Sequence, residues 1–366
     1  MRVQAAVAYQ GRDRFAIEQL DLSDPGPDNI LVRIAGVGLC HTDVKALEGA
    51  MRVPKPSVLG HEGAGVVEWV GERVVTLKPR DHVVLTYDSC RSCHACAGGN
   101  PAYCEQTASL NFHDARENEP GFFRKGSERI HGHFFGQSSF AHHAMAREQN
   151  TIRVRKDAPL EILGTLGCGV QTGAGAIMNS LAARSGESVV IFGVGPVGLS
   201  AVMAAVVCGC APIVAVDALE SRLSIAKHLG AAHTVLVSSG FEVAEEIRKL
   251  VSGGVNLALD TTGRAENYHL ALASLATKGR FGFLTLPSAA FEPHLASIFL
   301  RGLTMRGIVQ GDSVPHEFIP RLIDLYMDGR FPFDKLVTKY SLDKINHAIE
   351  DQAAGRVVKP VFTFDS

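Results

Sequence analysis

Residues 189–198 read VVIFGVGPVG, an apolar strand followed by three glycines with the spacing G-x-G-x-x-G. In that spacing Gly193 makes a tight turn, Gly195 lets a phosphate approach the backbone, and Gly198 lets a helix pack closely on the strand. A second apolar strand ends at Asp217, nineteen residues after Gly198. A helix N-terminus attracts an anion and a carboxylate accepts hydrogen bonds from ribose hydroxyls, so the stretch predicts a dinucleotide site.

The acid at the end of the second strand also bears on the choice of dinucleotide. Asp217 suits the two free hydroxyls of NAD and repels the 2′-phosphate of NADP. Arginine does not follow it directly, although Arg222 lies close by. We therefore predict NAD as the cofactor. The alternative, that the glycines only form turns, is weakened by the strand before them and by the helix and strand after them.

Strands and helices alternate around this loop from about residue 187 onward. Six apolar strands separated by helical stretches indicate a parallel sheet covered on both faces, which is the doubly wound α/β class. The first 150 residues instead mix short alternating strands with glycine and proline turns, which predicts a mostly β domain. The tail contains a helix and the strand KPVFTF, and we expect it to return to the first domain. The predicted domains are residues 1–169, 170–309 and 310–366.

Composition and charge narrow the function classes. The 366 residues are 46% hydrophobic with a net charge of -2. These values suit two soluble domains and give no reason to expect nucleic acid or an anionic membrane as a partner. The N-terminus has no long apolar core, so we predict a cytoplasmic protein. Residues 189–216 carry no charge, but their glycines and prolines favour buried strands and a helix over a membrane span.

Four of the eight cysteines fall in the run CRSCHACAGGNPAYC at residues 90–104. Disulfides, an iron–sulfur cluster and a structural metal each explain such a cluster. A reducing cytoplasm disfavours disulfides. The residues alone leave the other two explanations open.

A second set of ligand-type residues is spread along the first half of the chain. GLCHTD supplies Cys40, LGHEGAG supplies His61 and Glu62, and LGCGVQTGAGA supplies Cys168. Two thiolates and one imidazole are the ligand set of a catalytic zinc whose fourth position is open. Taken singly, a cysteine is more often a small buried apolar residue, and a histidine is more often a packed or surface residue. The glycines beside His61 and Cys168 favour the zinc hypothesis.

Together these segments resemble the zinc-dependent medium-chain alcohol dehydrogenases. The resemblance is carried by GHEGAGVVEWVGERV, the C-x-T-D segment, the four-cysteine loop and GVGPVG, and it covers essentially the whole chain. GNPAYC, HFFGQSSFA and LGCGVQTGAGA resemble the bacterial aryl-alcohol (benzyl-alcohol) branch in particular. The family implies a GroES-like, mostly β catalytic domain joined to a Rossmann domain. It also implies NAD-dependent oxidation of a small alcohol to the aldehyde by a homodimer or homotetramer.

The resemblance further implies two zinc ions per chain. A catalytic zinc would be held by Cys40, His61 and Cys168, where its Lewis acidity lowers the pKa of the alcohol. A structural zinc would be held in a closed site by four thiolates: Cys90, Cys93, Cys96 and Cys104. A ferredoxin-type run would bring its fourth cysteine sooner and follow it with proline, whereas Glu105 follows here. The remaining cysteines, Cys208 and Cys210, are expected to be packing residues.

Further residues take roles from their positions in the family. Thr42 would accept the alcohol proton, and Asp43 would accept the outer N–H of His61. Glu62 would lie beneath the metal and help it exchange ligands. The pyrophosphate would meet His41 and Lys359, and the nicotinamide would lie near Thr172. Ordinary surface charge explains His41 and Lys359 equally well.

One position departs from the best-known animal members of the family. Those members often have a proton-relay histidine five residues after the first cysteine ligand, and here that residue is Lys45. A lysine ammonium is protonated at neutral pH and accepts no proton. Solvent, or a lysine that has lost its proton, would have to take the last relay step.

The substrate pocket is expected from family position and aromatic content. Flat aromatic walls suit benzylic or allylic primary alcohols through stacking and apolar burial, although the same residues also suit an ordinary core. The pocket residues are Tyr87, Phe134, Phe135, Leu286 and Val309. Short aliphatic alcohols and the glutathione adduct of formaldehyde remain alternative substrates. A dinucleotide-binding protein without chemistry and a zinc-free quinone reductase are disfavoured by the intact set of zinc ligands.

Overall fold

The computed structural model of the chain describes residues 1–112, 121–237 and 240–364, apart from the side chains of residues 240–242. Two units divide the chain: unit 1 contains Met1–Cys168, Val314–Met327 and Asp334–Ser366, and unit 2 contains Gly169–Ser313 and Asp328–Phe333. The unit boundaries fall after residues 168 and 313, whereas the sequence analysis places them after residues 169 and 309. Residues 328–333, which the sequence analysis assigned to the returning tail, belong to unit 2.

The first part of unit 1 consists mainly of short strands, as its alternating segments predict. Its strands are β1 (Arg2–Ala8), β2 (Ala16–Leu22), β3 (Ile30–Gly38), β4 (Ser57–Val58), β5 (Gly63–Val70), β6 (His82–Leu85), β7 (Phe123–Lys125), β8 (Glu128–Ile130), β9 (His143–Ala146) and β10 (Thr151–Val154). Its helices are α1 (His41–Leu47), α2 (His94–Ala97), α3 (Thr107–Asn111) and α4 (Leu160–Leu163). Among the residues of this part that the structure describes, no helix exceeds two turns, so strand pairing dominates its architecture.

Unit 2 contains a six-stranded parallel sheet, which confirms the predicted α/β class. Its strands are β11 (Val189–Phe192), β12 (Ile213–Asp217), β13 (His233–Leu236), β14 (Val255–Asp260), β15 (Leu275–Phe283) and β16 (Thr304–Gly307). Its helices are α5 (Gly169–Gly175), α6 (Pro196–Val207), α7 (Glu220–His228), α8 (Gly240–Leu250), α9 (Ala265–Ser274) and α10 (Leu295–Arg301). The strand order β13-β12-β11-β14-β15-β16 reverses at β11, so right-handed crossovers place helices on both faces.

The apolar character of the central strands follows from this covering of both faces. Every residue of β11 and β12 is buried, as expected for strands in a parallel sheet with helices above and below. Val190, Phe192, Tyr268 and Phe281 belong to the core on one side of this sheet. Asp217 is the one acidic residue of β12, and it ends the strand where the glycine loop also lies.

The last part of the chain returns to unit 1. It forms α11 (Pro315–Met327), β17 (Val337–Ser341), α12 (Ile345–Ala353) and β18 (Lys359–Thr363). Strand β18 pairs antiparallel with β3, where Val361 lies opposite Gly38, and parallel with β17. The predicted return of KPVFTF to the first domain is therefore confirmed.

The strands of unit 1 form two sheets. One has the order β4-β1-β2-β7-β8, and the other has the order β10-β6-β5-β3-β18-β17 with β9 also on β3. The core of this unit includes Phe140, whose ring meets those of Phe15 and Phe362 edge to face, each at 5.6 Å. Among the helices of the described residues, none combines the length and apolar character that a bilayer crossing requires.

Candidate active site

The paired ends of β3 and β5 bring the predicted zinc ligands together. Val37 lies opposite Gly63, and the N–H of Gly38 donates to the carbonyl of Glu62 at 3.0 Å. The residues that follow β3 and precede β5 therefore meet at one place. The ligand atoms of four residues lie within 4.8 Å of one another there: Cys40, His61, Glu62 and Cys168. Such convergence is what a single bound metal ion requires.

Small residues allow the segment before Cys168 to reach the same place. A Cβ on Gly164 would lie 2.1 Å from the carbonyl oxygen of Glu62, and one on Gly167 would lie 2.1 Å from the carbonyl oxygen of Leu85. Real Cβ atoms do not approach a backbone oxygen so closely. Glycine at both positions therefore lets this segment pack against β5 and β6 and bring Cys168 to the other ligands.

Asp43 fixes the orientation of the His61 ring. Its Oδ1 lies 2.9 Å from Nδ1 of His61 and also accepts the N–H of Gly60 at 3.1 Å. Its Oδ2 accepts the N–H of Cys40 at 3.0 Å. The structure thus places Asp43 beside His61, and its role in orienting a zinc ligand stays a prediction. Among the described residues, Nε2 of His61 is buried without a hydrogen-bond partner, a costly state that a metal ion would relieve.

The protonation of these residues also suits a divalent cation. The hydrogen bond from Cys168 holds the pKa of Cys40 well below its usual value, so Cys40 is the thiolate of this pair. Burial disfavours a charged imidazole, but the Asp43 carboxylate and the Cys40 thiolate outweigh it and raise the pKa of His61 well above its usual value. A bound zinc ion would displace the protons of the thiol and of the protonated imidazole, because zinc takes cysteine as the thiolate and histidine as the neutral ring.

Lys359 belongs to this cluster and not to the protein surface. Its side chain is 2% exposed, and Nζ lies 2.7 Å from Oε1 and 2.5 Å from Oε2 of Glu62. Nζ also donates to the carbonyl of Leu39 at 2.9 Å. The alternative of ordinary surface charge is therefore wrong for Lys359, because the ammonium is buried. Its contact with a pyrophosphate stays a prediction.

Gln137 is a supporting residue that the sequence analysis missed. Its buried Oε1 accepts the N–H of Gly63 at 3.1 Å. Its Nε2 donates to the carbonyls of His61 at 3.0 Å and Thr86 at 3.2 Å. The side chain thus fixes the backbone on both sides of Glu62. It lies within HFFGQSSFA, but an amide carries no recognisable chemistry until the fold shows which backbone groups it bonds.

Aromatic rings cover one side of the ligand His61. The ring of Phe135 stacks on the imidazole with 4.3 Å between centroids and 18° between planes, and Phe134 meets it edge to face at 5.5 Å. Phe112, which the sequence analysis did not select, lies 5.0 Å from Phe135. Phe135 has a φ of +52°, which is unusual for a bulky residue and typical of a position held by its surroundings. Tyr87 is buried in the same unit.

Helix α1 carries four residues that the sequence analysis considered: His41, Thr42, Asp43 and Lys45. Thr42 is half-buried, whereas His41 and Lys45 are exposed. Asp43 lies between them, is buried, and contacts the ring of His61. The roles predicted for Thr42, His41 and Lys45 stay predictions.

The four-cysteine loop forms a second ligand cluster in unit 1. The sulfur atoms of Cys90, Cys93, Cys96 and Cys104 lie within 4.8 Å of one another. Those of Cys90 and Cys96 are 3.9 Å apart, close to the separation of about 3.8 Å expected for two thiolates on one tetrahedral zinc. A disulfide would require about 2.05 Å. Backbone N–H groups point at the sulfurs: that of Cys90 donates to Cys104 and that of Cys93 to Cys90, each at 3.3 Å.

None of the eight cysteines forms a disulfide. Cys210 is buried in unit 2, and burial raises its pKa to about 11, so it is a neutral apolar residue there. Cys208 is half-buried at the end of α6. Both placements agree with the packing role expected from the sequence.

The glycine loop of unit 2 has the conformation that its spacing predicts. Gly193 has a φ of +81°, which makes the tight turn after β11. A Cβ on Gly198 would lie 1.9 Å from the carbonyl oxygen of Gly193, so only glycine permits this close packing of helix on strand. A Cβ on Gly195 would meet nothing nearer than Nη1 of Arg222 at 4.0 Å. The backbone at Gly195 is thus open, and its contact with a phosphate stays a prediction.

Asp217 lies beside this loop at the end of β12. Its Oδ2 accepts the N–H of Val194 at 2.8 Å, and its Oδ1 accepts the N–H of Leu219 at 2.9 Å. These bonds hold the carboxylate next to the glycines, where an adenosine ribose would lie in a doubly wound fold. Arg222, on α7, brings its guanidinium near the glycine loop, with Nη1 at 4.0 Å from a Cβ built on Gly195. Charges of both signs therefore lie beside this loop.

Three predicted residues lie in the other unit from the zinc ligands. Leu286, Val309 and Thr172 belong to unit 2. Leu286 is 80% exposed and Val309 is 45% exposed. Thr172 donates to Oε1 of Gln310 at 3.3 Å. Their contacts with a substrate or a nicotinamide stay predictions, because nothing within unit 2 assigns such a role.

Known proteins resemble this chain along its whole length. Residues 26–156 match the alcohol dehydrogenase GroES-like domain, and residues 196–327 match the zinc-binding dehydrogenase family. Geraniol dehydrogenase of Castellaniella defragrans is 43% identical over 364 residues, which cover 99% of this chain and 97% of that protein.

Two crystal structures extend the comparison to the fold. Benzyl alcohol dehydrogenase from Acinetobacter calcoaceticus is 41% identical, with a TM-score of 0.95 and complete coverage of both chains. An alcohol dehydrogenase zinc-binding domain protein from Burkholderia ambifaria is 48% identical, with a TM-score of 0.96 and complete coverage of both chains.

Proposed function

Because the chain belongs to the zinc-binding alcohol dehydrogenases, we propose that it oxidises a primary aromatic or allylic alcohol to the aldehyde and passes the hydride to NAD. The observation that carries the proposal is the convergence of Cys40, His61 and Cys168, with the ring of Phe135 stacked on the imidazole of His61. This arrangement combines a metal ligand set with a flat apolar wall.

The aromatic rings support the choice of substrate class. Phe134 and Phe135 lie against the ligand His61, and flat rings favour conjugated substrates through stacking. One relative is named for geraniol, an allylic alcohol, and one solved structure is that of a dehydrogenase for benzyl alcohol, an aromatic one. Both substrates carry the hydroxyl next to a π-system, which is the feature the proposed pocket would recognise.

Two zinc sites follow from the two ligand clusters. Cys40, His61 and Cys168 would hold the catalytic zinc, which when bound supplies Lewis acidity that lowers the pKa of the alcohol. Asp43 keeps the His61 ring in place for it. The closed structural site would be formed by Cys90, Cys93, Cys96 and Cys104. The latter site orders its loop and takes no part in the reaction.

Thr42 is the proposed acceptor of the alcohol proton. It stands two residues after Cys40 in the first turn of α1, and it is half-buried. Lys45 is exposed three residues later, so a proton that leaves Thr42 would pass to solvent without a histidine relay. General-base steps of this kind contribute about 10²–10⁴-fold to a rate.

The dinucleotide would bind to unit 2. The open backbone at Gly195 and the first turn of α6 would hold the pyrophosphate, and Asp217 would accept the hydroxyls of the adenosine ribose. A 2′-phosphate would meet the Asp217 carboxylate, which favours NAD. Arg222, whose guanidinium approaches Gly195 from α7, works in the opposite direction and would leave some activity with NADP.

Formation of NADH should be followed across a panel of benzylic, allylic and short aliphatic alcohols, with S-(hydroxymethyl)glutathione included. The proposal expects kcat/KM to be highest for benzylic or allylic alcohols. Higher values for ethanol or for the glutathione adduct would assign the protein to another substrate class. Absence of turnover with zinc and NAD present would favour a dinucleotide-binding protein without chemistry.

Two features on the surface of unit 2 support the expectation that the chain forms a homodimer or homotetramer. Helix α10 exposes three large apolar side chains, with Phe299 84%, Leu300 78% and Leu295 71% exposed. Strand β16 lies at the edge of the six-stranded sheet, and an unpaired edge strand is a template for pairing with another chain. A second copy that covers both features would bury the apolar side chains and complete the edge.

A reducing compartment such as the cytoplasm is the proposed location. Both ligand clusters require free thiols, and eight free cysteines are stable only where disulfides do not form.

A further inference from the structure

We propose that Lys359 is a positioning residue that holds the carboxylate of Glu62 off the catalytic zinc and so keeps one ligand position open for substrate. The inference rests on the zinc site proposed above. Its starting observation is a surplus of ligands, because four ligand atoms and not three lie within 4.8 Å of one another at Cys40, His61, Glu62 and Cys168.

Glu62 has both the chemistry and the place of a fourth ligand. Its side chain is fully buried, and a carboxylate oxygen is an ordinary zinc ligand. Binding by all four residues would close the coordination sphere, as in structural zinc sites, whereas catalytic sites keep three protein ligands and one open position. An enzyme with this ligand surplus therefore needs a group that restrains the carboxylate.

Lys359 is placed to restrain it. Its ammonium contacts both oxygens of Glu62, at 2.7 Å and 2.5 Å, and both side chains are buried. A third bond, to the carbonyl of Leu39 at 2.9 Å, ties the ammonium to the backbone directly before the ligand Cys40. Breaking such a buried ion pair would leave an uncompensated charge, which is costly. The ammonium of Lys359 therefore opposes movement of the Glu62 carboxylate onto a metal ion.

The backbone around the pair is shaped to hold it. A Cβ on Gly38 would lie 2.1 Å from Oε2 of Glu62 and 3.2 Å from Cε of Lys359, so a side chain at this position would displace the carboxylate. Gly38 lies opposite Val361 in the pairing of β3 with β18. The N–H of Leu39 also donates to the carbonyl of Pro360 at 2.9 Å. The two strands thus lock Lys359 next to Glu62.

Cobalt(II) in the catalytic site tests the proposal, because its visible d–d absorption reports the ligands directly. Imidazole serves as the probe for an open position and is titrated into the cobalt-substituted protein. Wild-type protein should bind imidazole with a spectral shift. Lys359→Met should weaken imidazole binding by about tenfold or more, because Glu62 then occupies the position. The double variant Lys359→Met/Glu62→Gln should restore binding, and Lys359→Arg should retain it.

A double variant that binds imidazole as weakly as Lys359→Met would overturn the proposal, since the loss would not come from Glu62. Glu62→Gln alone supplies a test that does not depend on the folding of Lys359→Met. It should leave the d–d bands of the resting protein unchanged, and a shift would overturn the proposal by showing that Glu62 is already a ligand. Failure of the wild-type protein to bind cobalt at this site would overturn the zinc site as well. The other two outcomes overturn the role of Lys359 alone.

Discussion

Oδ1 of Asp43 lies 2.9 Å from Nδ1 of His61, and neither side chain is exposed to solvent. The contact commits one ring nitrogen to the carboxylate and leaves the other for a metal. The same carboxylate accepts the N–H groups of Cys40 and Gly60. One acidic group therefore positions two of the three proposed ligands.

Asp43→Asn should lower the affinity of the catalytic site for zinc by about 10–100-fold, because an amide orients the imidazole less firmly and does not balance its charge. Competition with a chromophoric chelator measures the affinity. Asp81→Asn is the matched control, since Asp81 is also buried but bonds the N–H of Lys78. Equal zinc affinity in Asp43→Asn and wild type would contradict the positioning role.

Loss of a ligand should have different effects at the two proposed zinc sites. Elemental analysis of purified protein should give about two zinc ions per chain. Cys93→Ser should lose one zinc together with folding or solubility, because the closed site orders its loop. Cys40→Ser should lose turnover while thermal unfolding stays close to that of wild type. Iron with a brown absorbance band, or equal loss of fold in both variants, would be incompatible with two distinct zinc sites.

Asp217→Gly should shift the ratio of kcat/KM values towards NADP by about tenfold or more, because it removes the acceptor for the ribose hydroxyls and the charge that repels a phosphate. The variant also releases the N–H groups of Val194 and Leu219. Asp217→Asn, which keeps the shape and removes the charge, separates the two effects. If neither variant changes the ratio, Asp217 does not lie at the adenosine ribose.

Thr42 and Lys45 should respond very differently to truncation. Thr42→Ala should cost about a hundredfold or more in hydride transfer if its hydroxyl accepts the alcohol proton, whereas Lys45→Ala should cost little. Lys45→His should introduce a pH dependence of turnover near the imidazole pKa of about 6.5. Single-turnover measurements are needed, because product release can hide the step. A large loss in Lys45→Ala, with normal zinc content and NAD affinity, would identify Lys45 as the relay base.

Phe299→Glu should convert the proposed oligomer into smaller species, because a charge in an apolar interface opposes association. Light scattering measures the mass of the assembly. Val75→Glu is the control, since Val75 is 83% exposed in unit 1. An unchanged mass in Phe299→Glu would place the interface elsewhere, and a monomeric wild-type protein would contradict the oligomer itself.

Local patterns predicted the fold well. The alternation of apolar strands with helices predicted the parallel sheet of unit 2, because covering a sheet on both faces leaves the strands themselves apolar. The spacing of Gly193 and Gly198 predicted the turn and the close packing after β11, since both are properties of a few consecutive residues. Residue type and neighbouring glycines selected Cys40, His61 and Cys168 as candidate ligands, because few side chains bind zinc. The structure brings their ligand atoms within 4.8 Å of one another, together with that of Glu62.

Contacts between residues far apart in the sequence could not be predicted from local patterns. Glu62 and Lys359 are 297 residues apart, and only the pairing of β3 with β18 brings them together. Gln137 bonds backbone groups from two other segments, and no spacing rule links them. Residues 328–333 belong to unit 2 although the chain on either side belongs to unit 1. Tertiary packing decides each of these cases.

The pairing of β18 with β3 has a consequence for synthesis on the ribosome. Translation proceeds at roughly 5–20 residues per second from the N-terminus, so every strand of unit 2 has emerged before β18 does. Unit 2 can form its sheet on the nascent chain, whereas β3 lacks its partner β18 until residues 359–363 have been made. Lys359 arrives with that strand, so the carboxylate of Glu62 gains its counter-charge only after a further 297 residues have been added to the nascent chain.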